Sequence, residues 1–245
     1  MLDDEMLLND RSRFELRVRD SIANGLSRCL HQEYSKEDEM EVPSTLRKMG
    51  RTAGKKILEL GSGTGRFTSL LANECKSLLA IDFSLNSLRV ASKRISSNGN
   101  VGLVRADISN MKLKPNSFDL SLSTLYSNLP TPEIRESSTK LVSSALKSKG
   151  KYILSAHHYE LRMKLKSMPV SGSYENSIFY HRFTRCSLKR ELDKYFSDIR
   201  FSTICIWIPY LSRIKFTRIF LSRLSERIPF LNRFGALILA TATKA

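Results

Sequence analysis

The sequence contains no closely spaced pair of cysteines. Its four, Cys29, Cys75, Cys186 and Cys205, stand far apart, with no C-x-x-C and no histidine at ligand spacing. A structural zinc, or any other bound metal, and a disulfide framework are therefore not expected, which suits a reducing compartment. A long apolar run is also missing: the best candidate, around 204–211, falls far short of the roughly 20 residues that cross a bilayer. The opening Met-Leu-Asp-Asp-Glu is acidic where a secretory leader would be basic, so a cytoplasmic protein is expected. Acids themselves are scarce, 24 against 40 Lys and Arg, for a net charge of +16. The shortage is uneven. Residues 1–50 hold 11 acids and 8 bases, so 51–245 carry +19, and the last 45 residues contain a single acid, Glu226. Such a field steers RNA, DNA, anionic lipid or an acidic small molecule toward the chain without choosing among them. There is no internal repeat and no low-complexity tract.

At 245 residues the chain can bury one substantial core. Apolar spacing predicts an amphipathic helix over 12–32, carried by Phe14, Val18, Ile22, Leu26, Cys29 and Leu30. The polar, acidic stretch 33–41 reads as a linker, ending at Val42-Pro43 and followed by a short helix from Ser44. Residues 1–44 are thus expected to be an extension, and 45–245 the main domain. There, strand-like runs at 55–60, 77–82, 102–107, 118–123 and 151–157 alternate with helical patterns at 66–75, 84–96 and 132–147. That alternation implies a parallel sheet with helices on both faces, its ligand site outside the carboxyl ends of the strands. Beyond His158 lie an irregular insertion at 159–185, a helix at 186–196, and strands at 199–209 and 236–244. The last two bracket a basic, apolar segment at 210–234.

The most informative stretch is Ile57-Leu58-Glu59-Leu60-Gly61-Ser62-Gly63-Thr64-Gly65, a strand running into three alternate glycines at the mouth of a helix. Glycine allows a sharp turn and close approach to a ligand, and the helix start offers unpaired N–H groups. The dinucleotide pattern G-x-G-x-x-G is not met, because the sixth position is Arg66 counted from Gly61 and Thr68 counted from Gly63. Glu59 would repel a pyrophosphate and suits a cationic ligand.

E-x-G-x-G-x-G after a strand resembles motif I of the class I S-adenosylmethionine-dependent methyltransferases, and the small-molecule and quinone-type members in particular. The resemblance implies an α/β, Rossmann-like, mostly parallel seven-stranded sheet of order 3-2-1-4-5-7-6 with strand 7 antiparallel, and S-adenosylmethionine as cofactor. It continues in register. Asp82, 21 positions after Gly61, ends the second strand where a carboxylate accepts both ribose hydroxyls. Asp82-Phe83-Ser84 resembles that strand's usual exit. Asp107 and the N–H of Ile108 correspond to the adenine contacts. Lys114-Pro115-Asn116-Ser117-Phe118-Asp119 resembles the entry to strand 4, and Ser123 with 124–130 the loop facing sulfonium and acceptor. Residues 147–154 resemble the turn into strand 5. The cofactor set is thus Glu59, Gly61, Ser62, Gly63, Gly65, Asp82, Phe83, Asp107, Ile108 and Ser123.

Methyl transfer is an in-line displacement with a good leaving group, so alignment and a dry pocket matter more than a protein nucleophile. The Asp/Asn-Pro-Pro-Tyr/Phe motif of nucleobase-amine enzymes is absent from Ser123-Thr124-Leu125-Tyr126, and no cysteine lies near to serve cytosine-C5 chemistry. Tyr126, and His157 with its neighbours His158 and Tyr159, are the candidate acceptor contacts, His157 as a base for a hydroxyl. Tyr174, Tyr180 and His181 mark a substrate lid within 159–185. The segment 210–234 sets Leu211, Ile214, Leu221, Leu224, Ile228 and Leu231 among six bases, as in an interfacial helix on anionic lipid. A small or lipid-like acceptor and peripheral membrane contact follow as expectations; the alternatives are an RNA methyltransferase and a non-catalytic binder of the cofactor.

Overall fold

A computed structural model of the chain describes residues 10–23, 28–95, 99–124, 126–174, 178–206, 214–228, 230–231 and 234–245; side chains at 10–15, 22, 28–37, 215, 218 and 225 lie outside that description. The centre of the sheet is β1 (Lys56–Leu60), buried along nearly its whole length. On one side it pairs in parallel with β2 (Ser77–Asp82), which pairs with β3 (Val101–Arg105). On the other come β4 (Phe118–Ser123) and β5 (Leu146–His157), also parallel. Next to β5 lies β9 (Gly235–Thr243), antiparallel to it and to the edge strand β8 (Ser197–Ile206). The order β3-β2-β1-β4-β5-β9-β8 is the expected one, renumbered because a hairpin intervenes.

Parallel neighbours need crossovers, and α3 (Arg66–Ala72), α4 (Leu85–Arg94) and α5 (Pro132–Ala145) supply three of them. Their starts are set locally: Ser84 accepts from Ser87 N, and Thr131 accepts from Ile134 N ahead of Pro132 at the first turn. The pleat sends alternate residues to opposite cores. Leu58 and Leu60 join Val142, Tyr152 and Leu154, while Ile57 joins Phe67, Leu71 and Ile153. On the first face α7 (Arg185–Leu192) buries Leu188 and Leu192 behind a Thr184–Ser187 capping box.

The N-terminal region departs from expectation. In place of one helix, a linker and a short second helix from Ser44 there are α1 (Asp10–Ala23) and α2 (Arg28–Met49), with Pro43 inside the latter. Of the residues expected to make the first helix amphipathic, Leu26 and the side chains of Phe14, Ile22, Cys29 and Leu30 lie outside the described set. The acids of 33–41 read as solvated, yet Asp38 and Glu41 are used up in folding. Glu41 is 2 % exposed; it accepts from Arg66 at 2.8 Å and from Ser155 of β5 at 2.6 Å, and Asp38 also pairs with Arg66. Met40 is buried beside them, so the sheet's cover begins before residue 45. Pro43 costs one rung of the helix, which these contacts outweigh.

Smaller differences follow from the same packing. α3 stops at Ala72, and β3 stops at Arg105, leaving Asp107 on the turn beyond it. β5 begins at Leu146, so 147–150 form a kinked strand entry with Lys149 at φ +60°. The 159–185 insertion forms α6 (Leu161–Leu165) and a hairpin of β6 (Ser171–Ser173) and β7 (Phe179–His181). Within 210–234 lies α8 (Lys215–Arg227); Tyr210, Leu211, Arg213 and Arg233 lie outside the described residues.

Replacing Glu41 by Ala is expected to cost about 3 kcal/mol in urea unfolding, because it strips a buried partner from Arg66 and Ser155. Asp38→Ala, at a site one-third exposed, should cost under about 1 kcal/mol. Equal losses would mean that α2 is held by surface charge alone.

Candidate functional site at the carboxyl rim

The glycine-rich turn is clasped to the end of β2. Gly61 N and Ser62 N both donate to Ile81 O, at 2.8 and 3.1 Å, and Gly63 N donates to Asp82 Oδ2 at 2.8 Å. Asp82 Oδ1 accepts from Ser84 N at 2.9 Å. Gly63 has φ +54°, and a Cβ built there would meet no atom within 4 Å, so bare main chain faces open space. Gly65, at φ +81°, is glycine for another reason: its Cβ would stand 2.8 Å from that of Ala91, where α3 touches α4. Ser62 is buried, and its Oγ has no partner among the described residues. Such an orphaned oxygen beside an open cradle fits a bound polar ligand.

Adjacent strand ends lie beside this turn. Ala106 N donates to Asp82 O at 3.1 Å, bringing the exit of β3 beside that of β2. Asp107 Oδ1 accepts from Ser109 N and Oγ, with Ile108 and Phe83 half-buried nearby. Ser123 pairs in register with Leu60 at the end of β4. All ten residues expected to hold a cofactor therefore belong to the ends of four neighbouring strands, their exits, or the turn after β1.

Two of the acids are costly. Glu59, 3 % exposed, accepts from Thr68 Oγ1 at 2.7 Å. Burial pushes its pKa up to about 7, against the pull of Thr68 and Arg66 and with a further push from Asp82. Burial also raises Asp82, opposed by the N–H groups of Ser84 and Gly63 and by Arg19 of α1. Two buried carboxylates within electrostatic reach of each other form a ready counter-charge for a cation.

Beyond β5 the rim turns aromatic. The His157 main chain is fixed on both sides, N to Ser127 Oγ at 2.5 Å and O from Phe183 N at 2.8 Å. Its ring meets Tyr174 edge-on at 6.1 Å, and Tyr174 lies 4.8 Å from Tyr180. Nδ1 of His157 is buried without a partner among the described residues. Burial, then Arg182, drives its pKa down to about 4, so the imidazole is neutral at pH 7. His158 Nδ1 is instead bonded to Gly235 O at 2.8 Å and joins β5 to β9. Tyr159 gives its hydroxyl to Met168 O, and His181 Nδ1 meets Ser171 Oγ.

Tyr126 requires a correction. Its hydroxyl meets Arg135 O, Thr139 Oγ1 and Glu191 Oε2 within 3.1 Å, and the residue is 1 % exposed. Burial, with Glu191 next, raises its pKa. It braces α5 to α7 and has no open side for an acceptor. Several rim residues escaped the sequence reading. Ser127 pins His157, buried Arg135 holds Glu191 and Leu129 O, and α1 reaches the site through Asp20, which accepts from Ser84 Oγ. None sits in a recognisable motif. Among the described residues no group of His, Cys, Asp or Glu is arranged to hold a metal ion.

Comparison with known proteins agrees with this geometry. Residues 57–150 match the family model described as "Methyltransferase domain". Phosphoethanolamine N-methyltransferase 1 of Arabidopsis thaliana is 32% identical over 162 residues, 62% of this chain and 32% of that protein. A demethylmenaquinone methyltransferase of Clavibacter sepedonicus is 33% identical over 82 residues, 34% of each chain. The matches thus span about a third of each relative's length. Among solved structures, an S-adenosylmethionine-dependent methyltransferase from Mesorhizobium loti superposes with a TM-score of 0.61 at 18% identity, over 83% of this chain and 97% of that one. Residues 57–150 thus resemble a methyltransferase domain, and the chain has the Rossmann-like fold of that solved structure.

Because Glu59 binds its proton more tightly folded than unfolded, its contribution to stability is complete below about pH 4.5 and lost as pH rises through about 7. The shift corresponds to roughly 3 kcal/mol. Glu59→Gln should therefore be more stable than the parent at pH 8 and nearly equal at pH 4.5, read as urea midpoints. A variant less stable at pH 8 would show that the ionised carboxylate stabilises the fold.

Proposed function

We propose that this chain transfers a methyl group from S-adenosylmethionine to a small or lipid-like acceptor. The observation that carries the reading is the clasp between Gly63 N and Asp82, which sets bare main chain, two buried acids and a serine oxygen unpaired among the described residues at adjacent strand ends. Each Asp82 oxygen already accepts one N–H and retains a further lone pair, enough for the two hydroxyls of a ribose. Asp107 Oδ2 is available to an adenine amino group, with the Ile108 N–H beside it. Glu59 and Asp82 oppose the positive charge of the sulfonium and amino groups. When bound, the cofactor supplies an electrophilic methyl on a sulfur that leaves neutral.

The chain's own work is alignment and proton handling. Ser127 and Phe183 fix the main chain of His157 at the far side of the rim, and Tyr174 and Tyr180 wall it. A neutral imidazole there accepts the proton that an acceptor hydroxyl or ammonium loses on methylation. The two named relatives act on phosphoethanolamine and demethylmenaquinone, both small or lipid-like, which favours that class. The second reading, methylation of RNA, rests on the +19 balance of residues 51–245. A cytoplasmic location belongs to the proposal and is supported by free thiols at Cys75 and Cys186.

Calorimetry is expected to show S-adenosylmethionine binding, with Asp82→Ala weaker by about 1–3 kcal/mol; no binding by the folded parent would defeat the reading. Incubating cell extract with labelled cofactor should put label in the solvent-extractable fraction, and label confined to RNA would favour the second reading. His157→Ala should lower kcat by about a hundredfold or more with cofactor affinity intact. Because His157 stays neutral above about pH 4, the parent's rate should show no acid limb near 6.5. Tyr126→Phe should retain activity and lose about 1 kcal/mol of stability.

A further inference from the structure

The two faces of α8 meet different surroundings. Its inner face rests on β8 and α2: Ser222 Oγ accepts from Cys205 N at 3.2 Å, and Glu226 accepts from Ser44 and Arg47, each at 2.6 Å. On the outer face, Phe216, Phe220, Arg223 and Arg227 fall at spacings of four, three and four, which lines them along one stripe. Phe216 is 77% exposed and Phe220 55%, and their rings stack at 6.5 Å. Ile214, Ile228 and Phe230, at the two ends of the helix, are exposed as well.

Charge decides what such a face meets. Glu226 is the only acid in the last 45 residues, and Ser44 and Arg47 of α2 already engage it. Among the described residues neither Arg223 nor Arg227 forms an ion pair, although Glu39 of α2 lines the same cleft as Arg223. With Ile214 at one end and Ile228 and Phe230 at the other, exposed apolar groups run the length of the helix beside Arg223 and Arg227, an arrangement that suits an anionic bilayer. Position agrees. Ile206, the last residue of β8, pairs with Gly235, the first of β9, and Gly235 O is bonded to His158. The segment carrying α8 thus leaves and rejoins the sheet at the rim that holds His157.

We propose that the outer face of α8 docks the protein on an anionic membrane surface, with Phe216 and Phe220 seated at the headgroup–acyl boundary and Arg223 and Arg227 on lipid phosphates. The docking does not depend on the methyl-transfer reading. If that reading holds, docking sets the acceptor side of the rim toward a lipid-borne substrate.

The test is sedimentation of the full chain with vesicles of phosphatidylcholine alone or mixed with phosphatidylglycerol, at low and high salt. The parent is expected to sediment with the mixed vesicles and to be released by salt. The double variants Phe216→Ser with Phe220→Ser, and Arg223→Glu with Arg227→Glu, should each bind about tenfold or more weakly. Both should keep the parent's thermal midpoint and its titration with S-adenosylmethionine, so that a failed docking surface is told apart from a failed cofactor site. The proposal is overturned by absence of vesicle binding, by equal binding to neutral vesicles, or by double variants that bind like the parent. It is equally overturned if the Phe pair proves to hold a dimer in solution, or if bulk tRNA rather than lipid is what the Arg pair retains.

Discussion

The bond from Gly63 N to Asp82 organises more than a binding loop. It fixes where α3 begins, and the first residue of α3 is Arg66. From there the guanidinium reaches Asp38 and Glu41 of α2, and Glu41 reaches Ser155 on β5. A continuous polar chain therefore runs across the rim from β2 to β5, over β1 and β4. Each link is buried or half-buried, where a missing partner costs far more than a formed bond gains. The β2 and β5 ends of the rim are held in register by this chain, a register that in-line displacement would need under the proposed reading.

Where sequence and structure agree, a local rule was sufficient. Three glycines after an apolar strand demand a sharp turn, and alternation of short apolar runs with helical patterns leaves few sheet topologies. The disagreements have one cause: sequence shows a residue's type but not its partner. Glu33 to Glu41 reads as a solvated linker because the eventual partners, Arg66 and Ser155, lie 25 and 114 positions away. Tyr126 stands where an acceptor contact is expected, but Thr139 and Glu191 claim its hydroxyl. No periodicity within 120–130 reveals which way that ring turns. His157 and His158 are neighbours in sequence with different duties, because β9 offers a carbonyl to only one of them.

Acid placement shapes where the molecule's charge lies. Among the described residues, carboxylates serve chiefly as internal braces: Asp38 and Glu41 with Arg66, Glu191 with Arg135, Asp119 with Lys147, Glu226 with Arg47. Each brace consumes a base as well as an acid, so the positive field itself follows from the excess of 40 bases over 24 acids. Bracing only decides which acids are withdrawn from the surface.

That partition gives the two sides of the rim opposite electrostatic character. At the β1–β2 end, Glu59 and Asp82 are buried at a cost visible in their raised pKa values, a cost that an arriving cation offsets. Near the β5–β9 end, His157 is kept neutral, and Arg182 acts on it and lies over Tyr180. Under the proposed reading, a cationic donor and its acceptor would thus meet different surroundings at the two ends of the rim. Screening by water is weakest at buried groups, which sharpens the contrast. A fold that uses its acids for bracing and for one binding site gains this polarity without any further residue being set aside for it.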